Sequence, residues 1–106
     1  MRLTFNFLND SALNILRRAG YSFLKQGREA GEKSFVKRIG HADFPRFHIF
    51  LKEKLDGRIE INLHLDQKAA SYSGSISHSG EYENEGWLAK EAEFLRREFA
   101  KHVKDN

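Results

Sequence analysis

Imidazole titrates near neutrality and ligates metals, so the five histidines of this chain, at 41, 48, 64, 78 and 102, are its widest chemical resource. His48 and His64 carry the most information, because the runs that hold them read as one β-hairpin. Arg46–Lys54 and Arg58–Asp66 alternate in polarity around Leu55, Asp56 and Gly57, and the glycine supplies the positive φ of a three-residue turn. Setting Lys54 opposite Arg58 pairs Phe47 with Leu65, Ile49 with Leu63 and Leu51 with Ile61 on one apolar face. The other face pairs Arg46 with Asp66, His48 with His64, Phe50 with Asn62 and Lys52 with Glu60. Facing side chains in such a pair lie about 5 Å apart at Cβ, so the two imidazoles can share a ligand.

Two chemistries suit that face. In the first, His48 and His64 are metal ligands, Asp66 lies two residues along the same face, and His78 or Glu81 completes the sphere. A divalent metal ion such as zinc, manganese, iron or nickel accepts imidazole and carboxylate, and an open coordination position would hold water. A metal-dependent hydrolase is then a further alternative, although the sequence supplies no general base for it. Against Asp66 as a ligand stands Arg46, which offers it a cross-strand ion pair. In the second chemistry no metal is needed: Arg46, His48, Asn62 and His64 offer polar contacts to a small ligand, and Phe50 and Tyr82 offer stacking surfaces.

Other motifs are weaker. Adjacent strand residues point to opposite faces, so His78 cannot serve Ser79 as a base, and the G-x-S-x-G elbow is missing. Gly27-Arg-Glu-Ala-Gly31 lacks the third glycine and the Gly-Lys-Ser/Thr ending of phosphate loops. Trp87, Phe94, Leu95 and Phe99 fall on a helical stripe and read as core.

The elements that would position these residues follow from periodicity and turn chemistry. Residues 1–8 alternate well enough for a short strand or an ordered lead-in. Asn9, Asp10 and Ser11 are N-cap candidates for a helix through Ala19, with Arg17 and Arg18 in its last turn and Gly20 as its stop. Tyr21, Phe23 and Leu24 read as core anchors in a short extended or irregular piece, and Gln26–Lys33 as an exposed loop. A strand over Ser34–Ile39 precedes the hairpin. Serines at 71, 73, 75, 77 and 79 repeat with period two and predict a further strand, with Tyr72, Ile76 and His78 on its other face. Gly80–Gly86 reads as an acidic turn, and Trp87 to about Val103 as a helix with stripe Leu88, Ala92, Leu95, Phe99 and Val103. The pieces predict an α+β fold in a single domain, residues 1–106. It is an antiparallel β-meander of about four strands with N- and C-terminal helices packed on one face.

Composition bounds the function classes. Zero cysteines exclude a disulfide framework and thiolate-bound metal. No apolar run reaches bilayer length and no signal pattern opens the chain, so a cytoplasmic protein without a membrane partner is expected. Residues 1–54 hold eleven Lys/Arg against five Asp/Glu, and residues 55–106 hold seven against ten. That asymmetry raises an alternative, a nucleic-acid-associated module using Arg17, Arg18, Lys37, Arg38 and Arg46.

In five segments, Arg17–Tyr21, Ser34–Gly40, Pro45–His48, Leu63–Gln67 and His78–Tyr82, the chain resembles small uncharacterised bacterial proteins. The likeness spans about residues 12–95. It implies a small bacterial single-domain protein and carries no activity, cofactor or catalytic residue to transfer. The leading expectation is therefore a small bacterial ligand-binding domain whose polar sheet face holds a ligand, a divalent metal ion among the candidates.

Overall fold

Alternating polarity between glycine turns builds the sheet. A computed structural model describes residues 1–67 and 79–103. Its elements are β1 (Arg2–Phe5), α1 (Ala12–Arg18), β2 (Ser22–Gln26), β3 (Glu32–Arg38), β4 (Arg46–Glu53), β5 (Ile59–Asp66) and α2 (Ser79–Ala100). The five strands form one antiparallel sheet in the order β1-β5-β4-β3-β2. Strands β2 to β5 make a meander, and β1 adds to its far edge alongside β5.

The central hairpin has the register expected from its alternation. Arg46 faces Asp66, His48 faces His64, Phe50 faces Asn62 and Lys52 faces Glu60. Gly57 sits at φ +91°, and a Cβ there would come within 2.9 Å of the Phe7 ring. The Lys54 amide donates to the Arg58 carbonyl at 2.9 Å, which closes the turn. On the apolar face Phe35, Ile49, Leu51, Ile61 and Leu63 are essentially sealed from water; each contributes about 2 kcal/mol by burial.

Helix α1 starts at Ser11, whose hydroxyl accepts from the Asn14 amide at 3.1 Å. Ala12, Ile15, Leu16 and Ala19 give it one buried stripe. Gly20, at φ +98°, ends it: the Gly20 amide donates to Arg17 and the Tyr21 amide to Leu16, the double bond of a Schellman cap. Helix α2 adds Ala92, Leu95 and Phe99 to the same core, with Phe99 stacked on Phe5 at 4.5 Å. Both helices thus share the sheet's apolar face.

A polar cluster ties the layers together inside that face. Lys37 projects from β3 beneath the helices, 2.5 Å from Glu91 Oε2 on α2, and donates to the Ala19 carbonyl at the end of α1. The Tyr21 hydroxyl donates to the same Glu91 oxygen at 2.7 Å. Burial, then the hydrogen bond to Glu91, push the Tyr21 phenol well above its ordinary range, so it stays a donor.

Several expectations change. The sheet has five strands, because residues 2–5 and 22–26 both pair. Gln26–Lys33 is a β-turn region whose ends, Gln26 and Glu32–Lys33, belong to strands. Tyr21 is buried, but Phe23 and Leu24 are 48% and 41% exposed, since β2 is an edge strand beyond the reach of both helices. The predicted serine strand lies outside the described residues except for Ser79, which opens α2. The helix includes Gly80–Gly86, so no turn interrupts it there. At the other end α2 stops at Ala100, and Val103 bridges to Leu8. No helix among the described residues is long and apolar enough to cross a membrane.

Candidate functional site

The polar face of the sheet is arranged in rows set by the strand register. One row holds Arg38, Arg46 and Asp66; the next Val36, His48 and His64; the third Lys25, Ser34, Phe50, Asn62 and Arg2. Side chains in a row face one another across strands, and those in adjacent rows meet on the diagonal.

Diagonal contact decides the centre of the face. Asp66 lies opposite Arg46, yet its Oδ2 accepts from both Arg46 Nε, at 3.3 Å, and His48 Nδ1, at 2.9 Å. The Arg46 guanidinium also lies 4.5 Å from the centre of the Phe44 ring. In neutral His48 this bond puts the ring proton on Nδ1 and leaves the lone pair on Nε2. That Nε2 is buried and has no hydrogen-bond partner among the described residues. A buried acceptor without such a partner is uncommon.

Phe50 fences the two histidines. Its ring stacks on His48 at 4.3 Å and meets His64 edge-on at 5.4 Å. His64 titrates below its ordinary 6.5: partial loss of solvent around its ring is the largest cause, followed by the N-terminal ammonium and His48, while Asp66 opposes them. A lowered value keeps His64 neutral at pH 7, the state in which imidazole ligates metals.

The sequence-derived site residues divide clearly. Arg46, His48, Asn62, His64 and Asp66 share the face. Among the described residues no group of three or more His, Asp or Glu side chains converges as a metal cage. Asp66 faces His48 and Arg46 as an acceptor, a position that orients the imidazole. His78 lies outside the described residues, as do the side chains of Glu81 and Tyr82. The His48–Asp66 contact was missed because straight cross-strand pairing assigns Asp66 to Arg46 alone; the diagonal neighbour was the available signal.

The five basic residues of the nucleic-acid alternative do not share a surface. Arg17 and Arg18 sit on α1, over the apolar side of the sheet, and Arg18 is paired with Asp10. That pairing, with help from Asn14, lowers the Asp10 carboxyl to about 2. Lys37 points inward to Glu91, whereas Arg38 and Arg46 lie on the opposite face, paired with Asp43 and Asp66.

A second feature was not visible as a motif. A cleft of about 240 Å³ opens beside Phe50, between the β2–β3 turn and β4, with Lys25, Arg28, Glu32, Lys33 and Ser34 around it. Its residues come from separate strands, so no local pattern announces it.

Fold and site together define an α+β domain with a histidine-bearing polar sheet face. Comparison of the chain with protein-family profiles, curated proteins and solved structures gives no match.

Proposed function

We propose that this is a ligand-binding domain that holds a divalent metal ion, with zinc the first to test, between His48 and His64. The observation that carries this reading is the buried Nε2 of His48, which has no partner among the described residues while Nδ1 is held by Asp66. A carboxylate on one imidazole nitrogen and a metal on the other is a common arrangement, in which the carboxylate fixes the tautomer and raises the basicity of the ligating nitrogen. His64 stands opposite and is neutral at pH 7. Two protein ligands leave coordination positions for water or an incoming donor. Asp66 acts as the orienting acceptor, and Arg46 holds it in place.

The test is a titration of zinc, manganese and nickel into chelator-treated protein, followed through the histidine ring resonances. Joint, saturable shifts of His48 and His64 are expected, with His41 and His102 silent. His48→Ala should abolish the response, and Asp66→Asn should weaken it about tenfold or more. Silence of both rings across all three metals would retire the metal reading.

A further inference from the structure

The cleft beside Phe50 has its own chemistry. Lys25 extends from the edge strand β2 in the same row as Ser34 and Phe50. Neighbouring strands lie about 4.8 Å apart, so the backbones of Lys25 and Phe50 are separated by about 10 Å, with the cleft between them. Arg28 enters from the β2–β3 turn. Neither cation has an ion-pair partner among the described residues, whereas Lys33 is within 3.7 Å of Glu53 and Lys52 is bonded to Glu29. Two cations at one mouth, neither ion-paired among the described residues, favour an anion with several acceptor oxygens.

Phe50 supplies the opposite wall. One face of its ring is covered by His48, and the side chain is nevertheless 44% exposed. An exposed aromatic on the polar side of a sheet can stack on a base, a contact sequence-tolerant among nucleobases. Glu32 and Ser34 also line the cleft, and a carboxylate can accept from an amine or a sugar hydroxyl. The volume, about 240 Å³, is below the roughly 300–1,000 Å³ of sites that enclose a drug-sized ligand. It suits one nucleotide with part of its surface open to water.

We infer that this cleft binds a nucleoside monophosphate, its phosphate on Lys25 and Arg28 and its base against the exposed Phe50 ring. The inference is separate from the metal reading, although Phe50 borders both sites.

Titration of metal-free protein with AMP, adenosine and inorganic phosphate, read through the Phe50 ring and the Lys25 and Arg28 amides, tests it. AMP should saturate and bind at least about tenfold more tightly than either fragment, since each contact set adds roughly 1.4 kcal/mol or more. The double variant Lys25→Ala/Arg28→Ala, exposed at both positions and expected to keep its melting temperature, should lose about tenfold or more for AMP and leave adenosine unchanged. Phe50→Leu should remove the preference for AMP over phosphate. Equal affinity for AMP and phosphate, or wild-type AMP binding by the double variant, would overturn the proposal. Tighter binding of a trinucleotide through the same shifts would overturn it too, in favour of a strand. Zinc shifts at His48 and His64 are measured in a separate titration without nucleotide, so either reading can fail while the other stands.

Discussion

At the scale of single residues, protonation is the property that links this face to solution conditions. The folded His64 has a lowered pKa, while the unfolded chain keeps the ordinary 6.5. Between those values the unfolded state binds more protons, so stability rises with pH through that window. Stability should therefore be free of this penalty above the unfolded value. It should fall as pH drops through 6.5, until the folded value is passed. Urea midpoints measured from about pH 8 to about pH 5 would show that slope, and His64→Gln should flatten it. An unchanged slope in His64→Gln would mean that another group carries the dependence. Zinc affinity, if the metal reading holds, should decline over the same interval, because protons compete for the imidazole lone pairs.

The hairpin of β4 and β5 is the element on which both sites depend. Its two faces differ by one residue in register, so adjacent positions should respond oppositely to charge. Ile61 is fully buried on the apolar face, while Asn62 faces Phe50 and Arg2 on the polar one. Ile61→Asp should cost about 4 kcal/mol or more, and Asn62→Asp less than about 1 kcal/mol. Equal denaturation midpoints for the two variants would mean that the register is wrong. This pairing was legible in the chain because β5 alternates through all eight of its residues, β4 alternates from Arg46 to Ile49 and again at Leu51 and Lys52, and Gly57 supplies the turn. The edge strand β2 was not, because Tyr21, Phe23 and Leu24 are all apolar and their fates differ only by position relative to the helices. The helical start of α2 was also hidden, since Gly80 and Gly86 read locally as turn residues.

For the molecule as a whole, Glu91 is the joint between sheet and helices. It is 8% exposed and accepts from Tyr21 and Lys37, which come from the end of α1 and from β3. The Lys37 ammonium also lies 4.6 Å from the Phe94 ring centre and 4.9 Å from that of Tyr21. Glu91→Ala would leave a half-buried ammonium without its carboxylate, at a cost of about 3 kcal/mol. Tyr21→Phe removes one donor and leaves the Lys37 pair intact, for about 1 kcal/mol. Chemical denaturation of both variants gives the comparison, and a Glu91→Ala midpoint no lower than that of Tyr21→Phe would remove Glu91 from this role.

The amino-acid sequence by itself determined the α+β class, the two-faced hairpin and the presence of His48, His64, Arg46, Asn62 and Asp66 on one polar surface. These follow from period-two alternation and a glycine turn, which are local. Only the tertiary structure decided which partner each charged group takes. Lys37 belongs to the interior because α1 and α2 cover its side of the sheet, and Asp66 reaches His48 as well as Arg46 through a diagonal contact between strands. The cleft at Lys25, Arg28 and Phe50 exists because β2, β3 and β4 are laid side by side, bringing together residues up to 25 positions apart. Pairing in a strand is written in its neighbours, whereas packing across layers depends on residues far away in the chain.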